Sequence, residues 1–493
     1  MRIRATILAG VLGLPLLAGA TLAADAVDRS LVEAARQGDR EAVRSLLNGG
    51  KGANVASSDG TTALFWAASR NDAQMIDLLL RARADVNAAN EYGATPLYVA
   101  AENADAAVVT RLLGAKADPN KALLSGETPL MQAARRGKLD VVRLLLARGA
   151  NPNAKESNGG QTALMWAVSQ RHSDVADALI KGRADIYAKS NSGSTALMFA
   201  AQQGDADSAR LLLAAGANPN EVIPQSGFTP LIIASAMGHE AVAVQLLEKG
   251  ADPDAVDRRG FASLHRAARD KRSVGIVRAL LKHGANPNLR LNQARTASDT
   301  EYGSPLRQTL SAIAAADTGI ALQGATPLLF AAEVNNYDAV VALTEGGADP
   351  LIGTVQNTTP LIMAAGGGTD LARPRPPEER ATAAKTVAFL VEKGADVNAA
   401  GQFGWTALHA AAYQGLDDVI THLAGKGAKL DAMDRFGQTP LSISYAVLTE
   451  GIGAAYYQTP RIYRQETADL LLKLGATPLE RSGVKGVTQQ SRK

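Results

Sequence analysis

The chain has 493 residues, 46% apolar and 20% charged, a balance that excludes a disordered chain and leaves enough apolar side chains for a sizeable core. Lys and Arg number 51 against 48 Asp and Glu, a net +3 with both signs interspersed, so no overall field draws the protein to nucleic acid or an anionic membrane. Cysteine is absent, which removes disulfides, thiolate metal sites, cysteine nucleophiles and the lipid-modified cysteine of a lipoprotein.

Residues 1–24 read as a secretory signal peptide: basic Arg2 and Arg4, an apolar run from Ile7 to Leu17, then small residues from Ala18 to Ala26. Cleavage is expected after Ala23 or Ala24, and Ala20 and Ala26 also satisfy the small-residue rule. The run is short for a membrane span, and no later stretch approaches the roughly 18 uninterrupted apolar residues a spanning helix needs. The expectation is an exported protein, periplasmic or extracellular, with no integral membrane span.

From residue 28 the sequence repeats itself. Short motifs begin at Thr62, Thr95, Thr128, Thr162, Thr195, Thr229, Ala262, Thr326, Thr359, Thr406 and Thr439, most of them 33 or 34 residues apart. They read TALFWAA, TPLYVAA, TPLMQAA and so on to TPLSISY. Each is followed by an apolar stretch such as VVRLLL (141–146) and a closing motif such as RGANPNA (148–154) or KGADVNA (393–399).

Period and motifs together closely resemble the ankyrin repeat. Counting an N-terminal unit that runs from SLVEAARQGD to GKGANVA, the resemblance covers residues 28 to about 478 and implies an all-α solenoid of about twelve helix-turn-helix units with hairpin loops. Repeats 1–8 would occupy 28–288 and repeats 9–12 would occupy 324–478. Elementary physics agrees. Thr ahead of Pro or Ala caps the first helix of a unit, and Pro suits the first helical position. Alanine pairs such as Ala67–Ala68 and Ala133–Ala134 let helices approach, and Leu79–Leu80 and Leu145–Leu146 fill the space between layers. Glycine closes the second helix in nine of twelve units; Arg83, Lys116 and Arg183 are the exceptions, a basic side chain at a position that favours a left-handed residue.

Three insertions break the period, and insertions in a solenoid map to its outside. Residues 289–323, after the eighth unit, are expected to form a long hairpin loop followed by a short helix. The second, 366–384, carries GGG and the prolines Pro374, Pro376 and Pro377. The third, 446–465, gathers Tyr456, Tyr457 and Tyr463 with Arg461 and Arg464, close to Tyr445, Phe436 and Tyr413. Tyr and Arg dominate many protein interfaces, yet the same residues would also cap the open end of the stack; both readings stand. Residues 479–493 read as a frayed tail.

Ankyrin-like arrays bind at hairpin tips and the exposed turns of first helices. The resemblance therefore nominates Tyr92, Glu102, Arg135, Arg136, Phe228, Arg259, Phe261, Arg269, Phe403, Trp405 and Tyr413 as partner-binding residues, to which the third insertion adds Tyr456, Tyr457, Arg461 and Tyr463. Packing against neighbouring turns is the alternative for Phe228, Phe261, Phe403 and Phe436.

Catalytic chemistry is not written in the chain. The six histidines lack metal-site spacing, and His265 and His409 occupy the fourth motif position, where ankyrin histidines bond to the backbone of a neighbouring unit. Met131, Met165, Met198 and Met363 keep the repeat's register and read as core filling. No GxSxG or phosphate loop is present, and GIGAAY (451–456) lacks the third glycine of a dinucleotide fingerprint. The expectation is a non-enzymatic module without cofactor or metal, monomeric, that binds an unidentified exported protein through the concave groove and the insertions. An envelope scaffold with several weak partners, and a small-molecule binder or hydrolase using the C-terminal aromatic segment, stand as alternatives.

Overall fold

Most repeats begin with a threonine whose side chain accepts a backbone N–H at the start of a helix; Thr195 and Thr326 hold the position without that bond. Thr62 takes that of Phe65 at 3.3 Å, Thr95 that of Tyr98 at 3.1 Å and Thr229 that of Ile232 at 3.2 Å. In repeat 8 Ala262 replaces the threonine and that bond is lost; the His265 ring holds the same turn differently, its Nδ1 accepting the Ala262 N–H at 3.2 Å. A short inner helix follows, such as Pro129–Arg135, then a tight turn and a nine-residue outer helix such as Leu139–Ala147. The outer helix ends on a left-handed residue, and a hairpin loop leads to the next threonine.

The computed structural model describes residues 31–103, 105–292, 323–367, 375–401, 404–445 and 463–479. Its helices pair into twelve successive inner–outer units, and isolated bridges such as Ala56 with Thr62 are the only β pairing among the described residues. The repeats fall into two compact units: repeats 1–5, up to Asp185, and repeats 6–12, from Ile186 onward. The leader, most of the first and third insertions, residues 368–374 of the second and all of the tail after residue 479 lie outside the described residues.

The core runs between the helix layers. Alanines of the inner helices (Ala67, Ala68, Ala133, Ala134) and apolar residues of the outer helices (Ile76, Leu79, Val142, Leu145) are fully buried. Met131, Met165, Met198 and Met363 are buried with them, as core filling requires.

Asparagines in the closing motifs tie hairpin to hairpin. Asn120 donates through Nδ2 to the Gly149 carbonyl at 3.0 Å and accepts the Asn151 N–H on Oδ1 at 2.7 Å. Asn220 repeats the arrangement on Gly250 and Asp252, and Asn398 on Gly427 and Lys429. The aspartate or asparagine two positions earlier, Asp118 for Asn120 and Asn218 for Asn220, accepts that asparagine's own N–H at 2.9 Å and shapes the loop.

The insertions leave this scaffold intact. Asn288 reaches across the first one to the Gly347 carbonyl (2.9 Å) and the Asp349 N–H (2.8 Å), and the hairpin closes at its base through Leu291 and Ala325. Repeats 8 and 9 therefore pack as direct neighbours. In repeat 10 the inner helix Pro360–Ile362 continues into a π-helical turn, Met363–Gly367. The outer helix is Pro377–Glu392, sixteen residues long, so the second half of the segment at 366–384 is an extra helical start and not a loop. Just past that added start, Lys385 Nζ lies 3.8 Å from the Tyr337 ring centroid, a contact of the regular part of the helix with repeat 9.

Candidate functional site

The exposed ends of the inner helices and the hairpin tips are the surfaces built from nominated residues. In repeats 1–5 an arginine at the end of one inner helix twice lies over a tryptophan in the middle of the next. Arg36 sits 5.5 Å from the Trp66 ring centroid and Arg135 sits 5.3 Å from that of Trp166. Both follow from register, since the AAR of one unit and the W of the next unit's TALFWAA or TALMWAV face each other. Arg135 is exposed, and Arg136 beside it pairs with Glu102 at 3.3 Å. Tyr92 stands at a hairpin tip, 57% exposed; its carbonyl accepts the N–H of Leu124, 80% exposed on the next tip.

Beneath this surface is a polar cluster that the sequence did not announce. The Tyr98 hydroxyl meets Glu127 Oε2 at 3.0 Å and the side chain of buried Gln132, whose Nε2 also donates to Glu127 at 3.0 Å. Burial, then the Glu127 charge, pushes the Tyr98 phenol well above its usual range, so it stays a neutral donor. Each partner is a repeat away, which is why the signal is invisible along the chain.

In repeats 6–12 several nominated residues are structural. Phe228 and Phe261 are core side chains, 8% and 4% exposed, and neither presents a surface to a partner. Phe261 lies 5.6 Å from Phe330, which repeat 9 brings in from the far side of the first insertion. Arg269 pairs with the buried Glu333 at 3.3 Å and lies over the same Phe330 ring at 5.5 Å, a third arginine–aromatic pair of the kind seen in repeats 1–5 but with its charge neutralised. Arg259 is half-buried, and its N–H caps Asp257 at 2.9 Å.

Toward the C-terminal end, Trp405 donates from Nε1 to Asp434 at 3.3 Å and stacks on His409 (6.3 Å, 21°), with Tyr413 6.2 Å away. Arg464 holds the Tyr413 carbonyl through Nε at 2.7 Å, and desolvation together with Arg380 lowers its pKa. Tyr463 is 54% exposed, bonds to Gln465 and lies 5.9 Å from Tyr445. Phe403, Tyr456, Tyr457 and Arg461 lie outside the described residues.

His265 and His409 are buried ring bridges: Nε2 of His265 meets the Leu289 carbonyl at 3.0 Å and that of His409 meets the Gln438 carbonyl at 3.2 Å. Among the described residues no cluster of His, Asp and Glu is arranged to hold a metal, and no helix is long and apolar enough to cross a membrane.

A family model described as Ankyrin repeats (3 copies) matches residues 31–122, 100–190, 197–291 and 380–480. The chain belongs to the ankyrin repeat family. Ankyrin repeat and SOCS box protein 3 of Bos taurus is 35% identical over 123 residues, which is 25% of this chain and 21% of that protein. The chain thus matches about a fifth of the length of that relative. Ankyrin repeats indicate a protein–protein interaction module.

Proposed function

We propose that this ankyrin repeat protein is an exported, non-enzymatic binding module that engages a periplasmic or extracellular protein through the exposed ends of its inner helices and its hairpin tips. The observation that carries the reading is the row Arg36, Arg135 and Arg136, exposed, with half-buried Glu102 between them: polar side chains fixed on helix ends over a packed layer. A surface held in place before binding loses little conformational freedom on association, so it needs no chemistry to be effective. The buried polar groups His265, His409 and Asp257, and the half-buried Glu127, support the same reading, because each is tied into a structural bond. Export rests on the basic, apolar and small-residue segments of residues 1–24.

The test is crosslinking capture by the full-length protein expressed in its own host, with the captured fraction taken from the envelope and the medium. A stoichiometric protein partner, with the bait's N-terminus beginning after Ala23 or Ala24, is the expected result. Recovery of the bait alone overturns the binding reading, and an intact leader on soluble intracellular bait overturns export.

A further inference from the structure

Repeats 1–5 carry two arginines in the same unusual setting. Arg36 and Arg135 each end an inner helix, each lays its guanidinium over the tryptophan of the following repeat, and each keeps its outer face toward solvent. Arg36 has one weak neighbour on its own helix, Glu33 at 3.5 Å; Arg135 is in no ion pair among the described residues. An arginine stacked on a ring has lost rotamer freedom before any ligand arrives, and its planar fork is presented for two parallel bonds to a carboxylate.

The spacing adds a second constraint. Three repeats separate the two pairs, and neighbouring helices pack about 8–10 Å apart, so the two forks stand roughly 24–30 Å from one another. An extended chain advances about 3.3 Å per residue, so that gap corresponds to about eight residues. Arginine outnumbers the carboxylates at the ends of the inner helices and the two residues that follow them: Arg36, Arg70, Arg135, Arg136 and Arg171 stand against Asp39 and Asp105, whose carboxylates cap outer helices, and Glu102. Glu102 lies between the two forks, held by Arg136. A nucleic-acid strand would carry a phosphate about every 3.4 Å past Glu102 and gain contacts only at its ends. An extended peptide acidic at two points and neutral between them matches the pattern.

We propose that Arg36 on Trp66 and Arg135 on Trp166 form a two-point receptor for an extended protein segment carrying two carboxylates about eight residues apart. The proposal rests on the binding-module reading and names the partner's chemistry. Its test uses the full-length protein and fluorescein-labelled peptides in anisotropy titrations, and so does not depend on finding the natural partner. One peptide has two glutamates separated by seven neutral residues, a second has three intervening residues, and a third replaces both glutamates with glutamine.

The seven-residue spacer is expected to bind at least fivefold more tightly than either of the others. Arg36→Ala and Arg135→Ala are each expected to remove most of that advantage, and Arg135→Lys to restore only part of it, because a lysine keeps the charge without the fork. Both arginines are on the surface, and an unchanged melting curve for each variant makes the loss one of recognition. Equal binding of all three peptides, insensitivity to both alanine variants, or tighter binding of a single-stranded oligonucleotide of the same span overturns the proposal. A captured partner that binds normally to the Arg36→Ala/Arg135→Ala protein overturns it too, while leaving the module reading in place.

Discussion

The Arg266 guanidinium donates to Asp257 at 2.8 Å with both side chains shut off from water, 7% and 1% exposed, and lies 4.1 Å from the centroid of the Phe261 ring. Asp257 also accepts the N–H groups of Arg259 and Phe261, so one buried carboxylate shapes a hairpin and anchors the inner helix of repeat 8. Removing one partner of such a pair leaves a buried charge uncompensated, which costs about 3–5 kcal/mol. Arg266→Ala is expected to lower the urea midpoint accordingly. Asp257→Asn combined with Arg266→Met keeps the backbone acceptor and removes both charges, so it should recover at least half of the loss. Equal destabilisation by the single and double variants would show that the ion pair does not couple the two sites.

Two buried histidines give the stability a defined pH dependence. Burial lowers the pKa of His265 from 6.5 to about 4 and lowers that of His409 as well. In each, Nδ1 accepts the N–H of the helix-capping residue, a bond that protonation would abolish. A folded-state pKa below the unfolded value means that the unfolded chain takes up protons first on acidification. Stability is therefore full above about pH 6.5 and falls as the pH drops toward 4, by roughly 3 kcal/mol for His265 at 1.4 kcal/mol per unit. Asp59 and Asp270 have pKa values lowered from 3.8 and act below this window. Unfolding free energies measured across pH 4–6.5 should slope steeply in the native protein and flatten in His265→Gln/His409→Gln; equal slopes would place the dependence elsewhere.

Three outer helices end on a left-handed residue that is not glycine: Arg83 (φ 60°), Lys116 (φ 67°) and Arg183 (φ 66°). A side chain in that region costs about 1–2 kcal/mol, partly offset on substitution by glycine's greater freedom in the unfolded chain. Arg83→Gly and Arg183→Gly are expected to stabilise by about 0.5–1 kcal/mol. The reverse change checks the reasoning: Gly149 has φ 83° and open space where a Cβ would go, so Gly149→Ala should cost about 1 kcal/mol from backbone strain alone. Lower melting temperatures for both glycine variants would mean that the arginine side chains contribute more than their conformation costs.

What the sequence reveals is whatever repeats in register. The threonine caps, the alanine and methionine core columns and the bridging role of His265 and His409 were all legible, because each depends on neighbours a fixed distance along the chain. Packing was one reading of Phe261, but the ring it packs on was not legible, nor was the pairing of Arg269, since Phe330 and Glu333 stand in repeat 9, beyond the first insertion. The Tyr98–Glu127–Gln132 cluster was missed for a related reason: its members occupy different motif positions in successive units, and none is unusual alone. The arginine–tryptophan pairs combine an AAR with the W of the following unit, a signal legible only when adjacent units are set in register.

The asparagine ladder, visible in every NPNA and DVNA, is not uniform: Asp254 and Asp431 take the asparagine's place in repeats 7 and 11 and accept the Asn286 and Thr477 N–H without the donor half of the link, and two other positions depart further. Tyr187 stands where the asparagine belongs in repeat 5's closing motif and supplies half of the link, its hydroxyl donating to the Gly216 carbonyl at 3.2 Å. Leu351 takes the same place in repeat 9's closing motif, 56% exposed and with no polar atom to offer. Its loop nonetheless has the shape of the others, because the Leu351 N–H bonds to Asp349 at 2.8 Å as the Asn120 N–H does to Asp118. By register, an asparagine there would face the Gly394 carbonyl and the Asp396 N–H. Surface hydrogen bonds of this kind contribute about 0.5–1 kcal/mol each. Leu351→Asn should therefore raise stability by about 1–2 kcal/mol while removing an exposed apolar side chain, and Asn120→Leu should lower it by a similar amount. Hydrogen exchange gives the local readout: slower exchange at the Asp396 amide in the first variant and faster exchange at the Asn151 amide in the second. Unchanged protection at both amides would reduce the asparagines to loop formers and leave the cohesion of adjacent repeats to the helix layers alone.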